Sequence, residues 1–158
     1  DLLKRHRNNL VVHASDLPRG KGWSPLTWQI LEGENQIPVT LFEAAEAVDS
    51  GPIYKKVVLQ FSGSELIDEL RHAVMRATID ICRSFVREYP TVIATGTPQQ
   101  GESTFYARRH PEDSIIDVEK PIQEQFNLFR TVDNVRYPAW FEFKGKRFIL
   151  RIEKTDEI

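Results

Sequence analysis

Residues 11–25 read VVHASDLPRGKGWSP, and that order constrains the chain more than any other stretch. A β-branched run delivers a histidine. A Ser-Asp-Leu-Pro turn follows at once, then two glycines two apart, then a proline suited to a helix's first turn. This order places His13 at the carboxyl end of a short strand, beneath a tight loop. Open α/β sheets hold ligands and reacting groups at that position, so the fold class expected is α/β.

The neighbouring segments agree. Leu10–Ala14 reads as a buried strand and Asp16–Ser24 as a loop. Pro25–Glu32 reads as a short helix with Gly33 past its end. Val39–Phe42 and Ile53–Phe61 read as further strands, the latter near an edge because Lys55, Lys56 and Gln60 interrupt it. Ser62 and Glu65 fit a capping box. From there Leu66, Leu70, Val74, Ala77, Ile81 and Phe85 recur at helical spacing, and Tyr89-Pro90 ends the helix. Thr95–Ser103 is a polar loop and the best internal boundary. Beyond it Pro121–Val132 is expected to form an amphipathic helix with Ile122, Phe126 and Phe129 inward. Trp140–Ile152 is expected to form a hairpin turning at Lys144-Gly145-Lys146.

Composition removes several function classes. With 158 residues the chain suffices for one domain with a core and a small appendage. A formal charge of −2 gives no basic field to attract nucleic acid. No run approaches the ~20 apolar residues of a membrane helix. A single cysteine, Cys82, permits no internal disulfide, so a cytoplasmic setting is expected. His6, His13, His72 and His110 lack metal-ligand spacing, so no metal is expected. The chain starts at Asp1 in DLLKRH, which reads as the end of a helix. A strand as apolar as Leu10–Ala14 calls for neighbours on both sides. The expectation is that an N-terminal half precedes these residues, and that a sheet edge is exposed or covered by a second copy, as in a homodimer.

Two positions offer chemistry. His13 stands at a strand end beside turn residues. Asp49 sits in Val48-Asp49-Ser50-Gly51, a tight turn before another strand, and a carboxylate facing a histidine fixes its tautomer for proton transfer. Taken singly, His13 could be a structural histidine and Asp49 an ordinary turn residue. Arg19 and Lys21, set between Pro18, Gly20 and Gly22, bring two cations to the loop. Such residues are also commonplace on exposed loops. The loop is neither a Walker nor a dinucleotide motif, because the glycine spacing differs.

HASDLPRGKGWSP resembles the HxSLLPxxxG signature of the formyltransferases that use 10-formyltetrahydrofolate. EAAEAVDSGPIY is similar to their (V/L)DxGxI block, at a comparable separation. YARRHPEDSIID looks like a block shared by methionyl-tRNA and sugar-nucleotide N-formyltransferases. The resemblance covers nearly the whole chain but only the C-terminal part of the family's length. It implies the C-terminal half of a Rossmann-like formyltransferase domain over 1–101, followed by a small helix-plus-hairpin subdomain over 102–158. By itself such a piece is expected to be inactive.

The resemblance also implies roles. His13 would be the proton-transfer or oxyanion-stabilising imidazole and Asp49 its partner. The backbone of Ala45, Glu46, Ala47, Val48 and Asp49 would edge the pterin pocket of the formyl donor, 10-formyltetrahydrofolate. The acceptor implied is the amine of a nucleotide-linked amino sugar. Arg108 and Arg109, with Tyr106, are candidates for its phosphates and base, and Arg19, Lys21 and Trp23 would line the loop side. The alternative for the two arginines is ion pairing with Glu112 and Asp113. Transfer RNA is disfavoured as acceptor, since the tail is short and not strongly basic. Trp28 and Trp140 read as packing residues, and Cys82 as a small core residue.

Two positions depart from the family. Asp16 replaces an apolar residue. Val11 stands where the family has an asparagine that donates to the developing oxyanion, and Asn8 and Asn9 are out of register with it. Two readings therefore stand beside formyl transfer. One is a hydrolase releasing formate from the folate. The other is a non-catalytic binding module that lost the chemistry with that asparagine.

Overall fold

The computed structural model describes residues 3–155. Asp1, Leu2 and 156–158 lie outside the described residues, and with them the start of the expected DLLKRH helix end and the last three residues of the C-terminal subdomain. Leu3–Arg5 forms a single 3₁₀ turn.

Three strands make the main sheet: β1 (Leu10–His13), β3 (Gln36–Glu43) and β4 (Ile53–Gln60), in the order β1-β3-β4 and antiparallel throughout. The central strand β3 carries the buried residues Ile37, Val39, Thr40, Leu41 and Phe42. Burial on both faces explains its largely apolar sequence, Thr40 being buried with its hydroxyl hydrogen-bonded to the Ser15 carbonyl. Truncating Leu41 to Ala would cost about 2–5 kcal/mol. The polar residues of β4 lie at an edge, as its sequence indicates: Lys55 pairs with Glu88 at 2.6 Å, and Lys56 with Asp16.

Helix α1 (Pro25–Leu31) closes the loop after β1. Helix α2 (Ile67–Glu88) packs on the sheet through Leu70, Ile81 and Phe85. Its start differs from the expected capping box. Ser62 donates both its N–H and its hydroxyl to the Glu65 carboxylate, but the chain is extended at Leu66 and the helix begins at Ile67, where the Glu69 carboxylate accepts the Leu66 N–H at 2.9 Å.

The C-terminal part forms a separate small core of Ile116, Phe129, Val132 and Ala139. The expected helix over 121–132 is broken. A 3₁₀ turn at Ile122–Gln125 precedes α3 (Phe126–Thr131), and Ile122 faces solvent instead of the core. Strands β6 (Ala139–Phe143) and β7 (Lys146–Leu150) form the hairpin. Lys144 and Gly145 both have positive φ (50° and 71°), the type I′ turn that matches strand twist. Several ties join this part to the preceding elements, two of them between residues distant in sequence. Arg130, fully buried, reaches Glu65. A two-stranded parallel ladder pairs β2 (Lys21–Gly22) with β5 (Phe105–Tyr106).

No helix among the described residues is long and apolar enough to cross a membrane. None of their His, Cys, Asp and Glu side chains cluster in threes at metal-binding distance.

Candidate functional site

Strand β1 ends at His13, and the residues after it are fixed from three directions. Thr40, the register partner of His13 on β3, donates its hydroxyl to the Ser15 carbonyl at 2.7 Å. Gln29 from α1 donates to the Ala14 carbonyl at 2.6 Å. The loop then folds back so that the Gly20 carbonyl lies 2.8 Å from His13 Nε2. A carbonyl only accepts, so Nε2 carries the proton and, in the neutral ring, Nδ1 holds the lone pair. Nδ1 has no hydrogen-bond partner among the described residues.

Asp49 arrives from the turn between β3 and β4. Its backbone is left-handed, φ 49°, a conformation aspartate tolerates better than most residues. Its Oδ2 accepts the Gly22 N–H at 3.1 Å and lies 3.8 Å from His13 Nε2. The two side chains are 11% and 14% exposed. The sequence motifs therefore converge, but not as a direct pair. Gly20 sets the tautomer, and the Asp49 carboxylate lies beyond direct hydrogen-bond reach of the ring.

Two glycines make this approach possible. A Cβ on Gly22 would fall 2.6 Å from the Tyr106 carbonyl, and one on Gly51 would fall 1.8 Å from the Glu43 carbonyl. The end of β3 is itself pinned. Glu43 accepts from the Asn9 N–H, from Asn8 Nδ2 at 3.1 Å and from the Tyr54 hydroxyl at 2.9 Å. Burial, and then that carboxylate, push the Tyr54 hydroxyl up to about 12.

Gln99 is a residue the sequence reading did not single out. It lies in the polar loop 95–103, yet its Nε2 donates to both the Asp49 and Gly51 carbonyls, at 2.8 and 2.9 Å. The loop also bridges to β4 through Thr97 and Ile53.

The candidate substrate residues fall into three recesses. Trp23, Arg108 and Arg109 share one of about 220 Å³ with His110 and Tyr137. Arg19 and Tyr106 line a second, and Lys21 opens into a third. In the first, the Arg108 guanidinium lies 5.4 Å from the Trp23 ring, which is 59% exposed. Arg109 lies 5.8 Å from the Trp28 ring and donates to the Asp113 carbonyl at 2.8 Å. Burial disfavours its charge, Asp113 partly offsetting this. No ion pair joins either arginine to the Glu112 or Asp113 carboxylate among the described residues; Arg109 is instead held by the Asp113 carbonyl and the Trp28 ring. Tyr106 donates to Glu32 at 2.6 Å and stacks on Trp28, so its hydroxyl is already committed. Burial, and then Glu32, raise that hydroxyl above its ordinary value.

Ala45, Glu46, Ala47 and Val48 form an exposed bend. Their polar backbone is mostly free: Ala47 accepts from the Ser50 hydroxyl, while the N–H and C=O groups of Ala45, Glu46 and Val48 bond to nothing else described. Such a bend can hydrogen-bond the edge of a flat heterocycle, as a pterin pocket requires.

Val11 occupies the face of β1 that His13 shares. Neither nearby asparagine replaces the missing amide. Asn8 Nδ2 is taken by Glu43, and Asn9 Nδ2 by the Leu3 carbonyl.

No protein-family model matches the chain. Solved structures do. The methionyl-tRNA formyltransferase from Clostridium thermocellum superposes with a TM-score of 0.79 at 23% identity, over 96% of this chain and 65% of that one. A sugar N-formyltransferase from a Shewanella species gives 0.75 at 13% identity, over 98% of this chain and 64% of that one. HypX from Aquifex aeolicus in complex with tetrahydrofolic acid gives 0.65 at 20% identity, over 92% of this chain and 25% of that one. The fold is thus that of the C-terminal portion of the formyltransferases, and the chain spans less than two thirds of the length of the first of these proteins.

Proposed function

We propose that this chain carries the proton-transfer half of a formyltransferase centre, moving a formyl group from 10-formyltetrahydrofolate to the amine of a nucleotide-linked amino sugar. One observation carries the reading. His13 and Asp49 meet from separate loops in a largely enclosed setting, with the imidazole's Nε2 proton fixed on Gly20 and its Nδ1 free.

The donor supplies an activated formyl carbon next to a nitrogen that leaves when the acceptor amine attacks. His13 Nδ1 accepts the proton that the attacking amine must lose. Asp49, 3.8 Å from Nε2, stabilises the imidazolium so formed. His13 then returns the proton to the departing folate nitrogen, which balances the exchange. The free backbone of Ala45, Glu46 and Val48 suits the pterin edge. Trp23 offers a face for a base, and Arg108 and Arg109 offer guanidinium groups for phosphates. The recess they share is small, about 220 Å³, which favours a compact ligand over a transfer RNA. The solved formyltransferases and the tetrahydrofolate-bound HypX support the donor, and the sugar N-formyltransferase supports the acceptor class.

Val11 favours a second reading, a folate- or nucleotide-binding module without turnover, because no other amide replaces the missing oxyanion donor. The intact protein that carries this chain, incubated with 10-formyltetrahydrofolate and a panel of nucleotide-linked amino sugars, separates the two. N-formyl sugar should accumulate. Folate binding without product from any acceptor would support the binding module, and formate release without an acceptor would indicate a hydrolase.

A further inference from the structure

The Gly20 carbonyl that accepts the His13 Nε2 proton is flanked by two N–H groups, and both end on one residue. The Gly20 N–H donates to the Thr104 hydroxyl at 2.9 Å, and the Lys21 N–H donates to the Thr104 carbonyl at 3.0 Å. Thr104 lies 84 positions from Gly20, beyond the polar loop 95–103 and immediately before β5. A row of hydrogen bonds therefore runs from the Thr104 carbonyl through the Gly20–Lys21 peptide to the imidazole. Bonds in such a row polarise one another, so Thr104 strengthens Gly20 as an acceptor.

Tyr106, two residues on, closes another side of the same glycine. A Cβ on Gly20, whose φ is +70°, would fall 2.9 Å from Tyr106 Cε2 and 3.0 Å from Ser15 Cβ. The Tyr106 hydroxyl is itself fixed on Glu32 at 2.6 Å. Phe105, between the two, points outward at 65% exposure. This is the alternation of a strand whose inner face is fitted to Gly20. We infer that Thr104 is a positioning residue for His13: it fixes the Gly20 carbonyl so that the imidazole keeps its proton on Nε2 and presents Nδ1 to the reacting amine. The inference rests on the reading of His13 as the group that moves the proton. It makes the segment after the polar loop a support of the centre.

The test uses the intact protein that carries this chain, labelled with 15N in histidine and followed by NMR. In the unaltered protein His13 should show its proton on Nε2; a proton on Nδ1 in the neutral ring would overturn the inference without any variant. Thr104→Val keeps the β-branched shape and removes only the hydroxyl. Exchange of the His13 Nε2 proton with water should quicken roughly three- to tenfold, the loss of one neutral hydrogen bond. The turnover number should fall at least about threefold while KM for the acceptor holds. Thr104→Ser returns the hydroxyl and should restore both. Unchanged exchange in a folded Thr104→Val, or a Thr104→Ser that behaves like Thr104→Val, would overturn the inference. Faster exchange with unchanged turnover is decided by His13→Ala. If that variant is inactive, the positioning role is overturned and the catalytic reading stands. If it turns over like the parent, the catalytic reading falls and the hold of Thr104 on the imidazole stands.

Discussion

Gln99 Nε2 donates to the carbonyl of Asp49 at 2.8 Å, across 50 positions of sequence. That bond, with its companion to Gly51, holds a left-handed aspartate where its carboxylate reaches both the Gly22 amide and the neighbourhood of His13. The geometry of the candidate centre thus depends on a loop that itself contributes no side chain to the chemistry.

Replacing Gln99 by Leu strands two carbonyls and frees the Asp49 turn. Stability should fall by about 1–3 kcal/mol. In the intact protein the turnover number should fall while KM for the acceptor holds, because the arginine recess is untouched. Denaturant unfolding and steady-state kinetics read the two effects separately.

Val11→Asn restores an amide on the face of β1 that His13 occupies. If turnover is limited by the missing oxyanion donor, the rate should rise, by up to about 10²–10³-fold. Single-turnover measurements with 10-formyltetrahydrofolate check this. An unchanged rate would mean that the oxyanion is stabilised by another group.

Gly22→Ala combines φ +92° with a Cβ 2.6 Å from the Tyr106 carbonyl. It should destabilise the protein by about 1–3 kcal/mol and loosen the β2–β5 ladder. Thermal unfolding gives the first quantity, and amide exchange at Trp23, which donates to Tyr106 at 3.2 Å, gives the second.

Acid should weaken the tie between α2 and the C-terminal part. The Arg71 hydrogen bond, then the Arg136 and Val135 amides, hold the Asp133 carboxyl down to about 2 against its ordinary 3.8. A carboxyl lowered by folding contributes stability that is full above its unfolded value and is lost as pH falls through the folded one. The window is therefore about pH 4 to 2, and the contribution roughly 2 kcal/mol. Asp133→Asn should flatten the stability–pH curve across that window in denaturant titrations.

Much of this was legible in the sequence because local signals sufficed. Alternation and turn residues gave β1, β4 and the β6–β7 hairpin, and the four-and-three spacing gave α2. The two motifs around His13 and Asp49 marked residues that do converge. What was hidden depends on distant partners. Glu65 appeared to cap α2, but it also receives Arg130 from 65 positions away, and the helix begins later, at Ile67. Ile122 fits a helical face, yet the turn there is 3₁₀ and faces outward. Lys21 looked like an exposed loop cation until its pairing with Phe105 enclosed it. Nothing local distinguishes Gln99 from its neighbour Gln100. The imidazole's hydrogen bond to Gly20 in place of Asp49 follows from a loop closure that spacing alone does not encode.

The central claim is that His13 moves the proton and Asp49 supports its charge. Formyl transfer from 10-formyltetrahydrofolate to a nucleotide-linked amino sugar, measured in the intact protein with His13→Ala and separately with Asp49→Ala, tests it most directly. Each folded variant should lose at least about 10²-fold in turnover number. A rate equal to the parent's in either variant would contradict the account.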